Sequence, residues 1–116
     1  MSGGIMTIFG RIIKGELPAE KVFENDKVIA IRDIHPQAPV HILIMPKKEY
    51  KDFQSIPHED LGILVDIAKA AQEIAEQEGI SDGYRLLTNI GPSAGQTVFH
   101  LHFHLIGGRS LGGKLG

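Results

Sequence analysis

The chain has 116 residues, a length suited to one domain with a single buried core. Its formal net charge of -2 offers no basic stripe for a nucleic-acid backbone, so no nucleic-acid partner is expected. Cysteine is absent, which excludes a disulfide framework and a thiolate zinc site, and no apolar run approaches a membrane span.

Residues 1–6, "MSGGIM", read as a flexible leader and residues 7–116 as the domain. The N-terminus has no apolar h-region or cleavage signature, so a cytoplasmic location with no membrane partner is the expectation. "TIFGRIIKG" predicts a short helix, with Thr7 as its cap, apolar residues at helical spacing and Gly15 as its stop. "KVFENDKVIAIRD" predicts a hairpin turning at Asn25-Asp26. "HPQAP", His35 to Pro39, is a connector whose two prolines forbid regular structure. "VHILIMP", Val40 to Pro46, predicts a strand that is apolar on both faces except at His41, and hence central.

"PHEDLGILVDIAKAAQEIAEQEG" predicts the long helix, starting at Pro57 and ending at Gly79. Its expected apolar stripe is Leu61, Leu64, Val65, Ala68, Ala71, Ile74 and Ala75. "YRLLTN" predicts a further strand, "IGPSAGQT" a loop, and "VFHLHFHLIGG", Val98 to Gly108, the last strand before a polar, Gly-rich tail. The fold class expected from this order is α+β: a single-domain antiparallel sheet with one long and one short helix.

The last strand raises the functional question. Strand alternation would put His100, His102 and His104 on one face, about 6.6 Å apart from each to the next. Phe99, Leu101, Phe103 and Leu105 would then anchor the other face in the core. Three explanations compete: packed histidines, a metal site and a catalytic cluster. Three histidines in register are improbable as mere packing. A zinc ion takes imidazole ligands at about 2 Å, whereas the row would span about 13 Å. Catalysis gains support from the adjoining loop. Gly91 and Gly95 would let backbone N–H groups approach an oxyanion, and Ser93 and Thr97 add hydroxyls.

Other candidates carry plainer alternatives. His41 is either a satisfied buried histidine or a support for the row. Asp33 is either a turn cap or an acceptor for the two hydroxyls of a ribose. His35 and His58 read as surface residues, and Lys47-Lys48 as a solvated turn rather than a phosphate patch.

The motif "HLHFHLI" resembles that of the histidine triad superfamily, and within it the Hint branch of nucleoside phosphoramidases. The similarity extends through "TIFGRIIKGELPAEKVFENDKVIAIRDIHPQAPVHILIMPKK" and "NIGPSAGQTVFHLHFHLIGGR", covering roughly residues 7–110. It implies a HIT-like fold and a homodimer that needs no metal and no cofactor. It implies that His102 is the transiently nucleotidylated nucleophile, with His100, His104 and His41 as partners. It implies that Asp33 and Ile34 hold ribose and base, and that Asn89, Gly95, Gln96 and Thr97 lie on the phosphate side. Thr97 stands where many relatives have serine and keeps the hydroxyl; His35 stands where relatives often have serine, and the tail lacks a Trp-Pro-Pro ending.

The activity expected is cleavage of the P–N bond of a purine nucleoside phosphoramidate, with AMP, GMP or adenosine among its ligands. Thr97 and His104 would help protonate the leaving amine. The alternatives are a dinucleoside polyphosphate hydrolase and a non-enzymatic nucleotide-sensing module.

Overall fold

Five strands form one antiparallel sheet in the computed structural model, which describes residues 6–113. The elements are α1 (Ile8–Ile13), β1 (Lys21–Glu24), β2 (Val28–Arg32), β3 (Val40–Pro46), α2 (Ile63–Gln77), β4 (Tyr84–Leu87) and β5 (Phe103–Gly107). The strand order is β1-β2-β3-β5-β4. Most of the expected leader, residues 1–5, lies outside the described residues, as do residues 114–116 of the tail. Among the described residues no helix is long and apolar enough to cross a membrane.

Local sequence accounts for the first half. Thr7 caps α1 by accepting from the Gly10 amide at 3.0 Å, and Gly15 ends it with φ 79°. Asn25 closes the β1–β2 turn by accepting from the Lys27 and Val28 amides at 2.9 and 2.8 Å. β3 is buried along its whole length between β2 and β5, which is the central place its two apolar faces require.

The alternation of β3 divides the core. Val40, Ile42 and Ile44 face α2, together with Leu105 of β5. Leu43 and Met45 face the other way, against Phe9 and Ile12 of α1. His41 therefore belongs to the α1 face. His104 pairs with Leu43 across β3–β5 and shares that face. Asp33 follows Arg32, which pairs with Ile42 and turns towards α2 to bind Glu78 at 2.9 Å, so Asp33 reaches the α1 face beside His41.

Two expectations are corrected. The long helix begins at Ile63, not at Pro57; His58–Asp60 form a separate 3-10 turn, where Asp60 is held by Lys48 and Tyr50 at 2.8 Å each. The buried stripe is Ile67, Ala70, Ala71, Ile74 and Ala75, while Leu61, Val65 and Ala68 face outward. Two overlapping apolar stripes exist on this helix, and the sheet selects the one whose alanines allow close approach to β3.

The last strand is also shorter than expected: Val98–His102 are irregular and pairing starts at Phe103. Phe103 pairs with Ile44, so the ladder would next run towards Pro46. Pro46 has no N–H, and its carbonyl is taken by the His100 ring at 3.0 Å. The amide of Leu101 turns instead to the Tyr50 carbonyl. Phe99 consequently is not an anchor but lies exposed, whereas Leu101 and Leu105 are buried.

Candidate active site

The end of the irregular segment and the start of β5 bring the histidines to a cleft of about 640 Å³ on the α1 face of the sheet. Its wall includes Asp33, Ile34, His41, Asn89, Gly95, Thr97, His102 and His104. Gln96 and His100 do not line it. Gln96 is buried, and its side chain ties the loop together: its oxygen accepts from the Gly91 amide at 2.8 Å and its nitrogen donates to the carbonyls of Lys51 and Val98 at 2.9 and 3.1 Å.

Although the segment before Phe103 is not a strand, all three imidazoles lie on the α1 face, with the His100 and His102 rings against Phe9 at 6.2 and 4.9 Å between centroids. The His102 and His104 rings lie side by side, 5.2 Å between centroids, and His104 stands 5.2 Å from His41. His100 is fully buried behind them.

Donor–acceptor logic assigns a tautomer to each ring. The Nε2 of His100 meets the Pro46 carbonyl at 3.0 Å, which can only accept, so that nitrogen carries the proton. Its Nδ1 accepts from the Thr7 hydroxyl at 3.3 Å. The Nδ1 of His102 donates to the His100 carbonyl at 2.7 Å, leaving a lone pair on Nε2. The Nδ1 of His41 accepts from the Gln37 amide at 3.0 Å, so its Nε2 bears hydrogen and donates to Nδ1 of His104 at 2.9 Å. His104 then keeps its proton on Nε2. The site thus pairs a ring with a free lone pair, His102, and a ring with a free N–H, His104.

Burial keeps these rings neutral. It pushes the pKa values of His41, His100 and His102 below the usual histidine range; the Asp33 carboxylate offsets this at His41, and the hydrogen bonds to backbone carbonyls offset it at His100 and His102. His104 is pushed down to about 4, first by burial and then by the neighbouring His102 and His41.

The loop behaves differently from the expectation. The amides of Ala94, Gly95 and Gln96 are bonded within it, to the carbonyls of Gly91 and Pro92, rather than turned to an oxyanion. Gly91 and Gly95 are required for their backbone conformation, φ 84° and 96°. The polar groups that the loop brings to the cleft come from Thr97 and, at its start, Asn89. Asp33 fills the turn-cap role: one carboxylate oxygen closes a turn on the His35 amide at 2.8 Å, and the other stands 3.4 Å from His41 Nε2.

The sequence reading missed the apolar wall. Phe9 packs edge-on against His102, 4.9 Å between centroids, and Ile8, Ile12, Leu17, Ile31, Leu43 and Val98 continue the surface. Its only signal was the repeat of apolar residues in "IFGRII", which also suits an ordinary packed helix.

Asp33, His41 and His104 place ligand atoms within 4.8 Å of one another, so a metal must be considered. The donor set does not fit one. A metal needs lone pairs, and the His41 nitrogen aimed into the cluster carries a proton while its other nitrogen is occupied by Gln37.

A five-stranded antiparallel sheet with a histidine cluster beside a largely apolar cleft defines a class, and comparison with known proteins places the chain in it. The chain belongs to the HIT domain family, whose model matches residues 14–111. Its fold is similar to a HIT family hydrolase from Clostridium thermocellum, with TM-score 0.92 and 52% identity over 94% of this chain and 96% of that one. It is 48% identical over 110 residues to the 14 kDa zinc-binding protein of Zea mays, covering 90% of this chain and 84% of the relative. It is 45% identical over 107 residues to Adenylylsulfatase HINT1 of Arabidopsis thaliana, covering 90% of this chain and 73% of the relative.

Proposed function

We propose that the protein is a hydrolase that cleaves the P–N bond of purine nucleoside phosphoramidates through a nucleotidyl-His102 intermediate. The observation that carries this reading is the His102 ring itself: its Nδ1–H is bound to the His100 carbonyl at 2.7 Å, and its unprotonated Nε2 belongs to a side chain on the cleft wall. The apolar wall, with Ile34 83% exposed at its rim, suits a stacked base, and the Asp33 oxygen not used in the turn suits a ribose.

The chemistry follows from the tautomers. Nε2 of His102 attacks phosphorus and the P–N bond to the amine breaks. The Thr97 hydroxyl and the His104 Nε2–H, both on the cleft wall, hydrogen-bond to the leaving nitrogen, and the proton that the amine takes up comes from solvent water. Water then attacks phosphorus from the same side as the departed amine, the P–N bond to His102 breaks, and a nucleoside monophosphate leaves. No step uses a metal, and the zinc in the maize relative's name finds no fitting donor set in the Asp33–His41–His104 cluster.

The name of the Arabidopsis relative favours a second leaving group, sulfate. The attack on phosphorus is common to both. A panel of AMP and GMP phosphoramidates, adenylyl sulfate and dinucleoside polyphosphates, compared by kcat/KM, decides between them. The phosphoramidates should lead. Preference for a dinucleoside polyphosphate, or binding without turnover of any substrate, overturns the reading in favour of a polyphosphate hydrolase or a nucleotide sensor.

The same reading includes a homodimer. Leu61 and Val65 expose 38% and 56% of their surface, and Leu86 of edge strand β4, on the α2 face of the sheet, exposes 41%. A second copy would cover this apolar strip. Light scattering should give twice the chain mass, and Val65→Glu should return it to the monomer.

A further inference from the structure

We infer that the backbone N–H of Gln37 is a positioning group that sets the tautomers of His41 and His104, and so decides that His104 offers a proton to the cleft rather than a lone pair. The inference rests on the phosphoramidate reading only for its kinetic arm.

The geometry is a directed chain of hydrogen bonds. Gln37 N donates to His41 Nδ1 at 3.0 Å, and His41 Nε2 donates to His104 Nδ1 at 2.9 Å. A backbone amide can only donate. With Nδ1 of His41 fixed as the acceptor, the neutral ring carries its proton on Nε2, and the direction propagates to His104. Were Gln37 N absent, the His41–His104 pair could be satisfied equally well in reverse: His104 Nδ1–H would donate to His41 Nε2, and His104 would present a bare Nε2 to the leaving group. Nothing else in the pair breaks that symmetry except Asp33 Oδ2, which is longer at 3.4 Å from His41 Nε2.

The connector is built to hold this amide. Gln37 follows Pro36 and precedes Ala38-Pro39, so the backbone around it has few alternatives. Its carbonyl is clamped from the far end of the chain by Arg109, whose guanidinium donates to it at 2.8 Å. The Gln37 side chain, by contrast, is exposed and reaches only the His35 carbonyl at 3.2 Å. The sequence signal to test is therefore the amide at position 37 and not the glutamine.

The experiment pairs a ring-nitrogen measurement with kinetics. Long-range proton–nitrogen NMR of the ¹⁵N-histidine-labelled full chain at neutral pH should show both His41 and His104 as neutral rings protonated on Nε2. His41 protonated on Nδ1 overturns the proposal whether or not the protein turns over any phosphoramidate. Gln37→Ala keeps the amide and should leave the His41 and His104 nitrogen resonances as in the parent. Gln37→Pro removes the N–H and also fixes φ at this position, and should shift the His41 and His104 nitrogen resonances and lower kcat by about 100-fold, with KM changed far less. A folded Gln37→Pro protein with parental spectra and kcat overturns the proposal.

Should Gln37→Pro fail to fold, a second pair of variants decides. The amide of His41→Gln can still donate towards His104 Nδ1, whereas His41→Leu cannot. Retention of the Nε2–H form of His104 in His41→Gln and its loss in His41→Leu supports the relay. The same His104 state in both overturns it.

Discussion

His100 and His102 are two residues apart in one short segment, yet the fold treats them in opposite ways. His100 is fully buried, and both of its ring nitrogens are spent on the protein, one on the Pro46 carbonyl and one on the Thr7 hydroxyl. His102 spends one nitrogen, on the carbonyl of His100 itself, and lies on the cleft wall. The first is a fixture and the second a tool, and the fixture aims the tool. Residue type and spacing do not make that distinction; the partners of each nitrogen do.

The strongest way to break the comparison is His102→Ala. The variant should lose at least about 10⁴ in kcat with the fold kept, because the ring faces the cleft rather than the core. Rapid quench and mass spectrometry of the parent should place the nucleotidyl adduct on His102, and EDTA should not change the rate. An adduct on His104, or near-parental turnover by the variant, would sink the assignment.

His100→Leu tests the fixture. It leaves the Pro46 carbonyl and the Thr7 hydroxyl without their buried partner, so the cost should appear in stability, about 1–3 kcal/mol by denaturant titration. The rate should fall by about 10- to 100-fold as the carbonyl that holds His102 loosens. A loss of rate as large as that of His102→Ala, with stability unchanged, would make His100 a catalytic group instead.

Asp33→Asn sharpens the contrast between groups that hold substrate and groups that transform it. Nucleotide Kd should rise about tenfold, with a smaller change in kcat, because an amide is a weaker partner for ribose hydroxyls than a carboxylate. An unchanged Kd with a lower kcat would move Asp33 to the chemical step, through its contact with His41.

The smallest effect concerns pH. The folded pKa values of His41, His100, His102 and His104 all lie below the usual histidine value. Below about pH 6.5 the unfolded chain takes up protons that the fold refuses. The stability these neutral rings preserve is therefore complete above that pH and declines as the pH falls, down to about 4 for His104. Melting temperature should be flat from pH 8 to about 6.5 and then decrease, and kcat should hold to a lower pH before it falls as folded His102 gains a proton. A rate that rises on acidification through this range would contradict a neutral nucleophile.

Much of this protein was legible from local chemistry. Thr7, Gly15 and Asn25 punctuate the chain where caps and turns require them, and the lone polar position of β3 pointed to His41. The motif around His102, with Asp33, Asn89 and Thr97 at a distance in sequence, named the residues that the fold assembles on one wall. Two errors share a cause. The stripe of α2 and the length of β5 were read from periodicity alone, and periodicity does not say which of two apolar stripes meets the sheet or where the partner strand runs out of donors.

The sequence by itself determined the α+β class, the element order and the histidine cluster, because these depend on patterns a few residues long. Only the tertiary structure decided which nitrogen of each imidazole carries a proton. That choice depends on the Pro46 carbonyl, the Thr7 hydroxyl and the Gln37 amide, groups brought to the rings from 54, 93 and 4 residues away. A ring nitrogen donates or accepts according to what faces it, and what faces it is settled by packing.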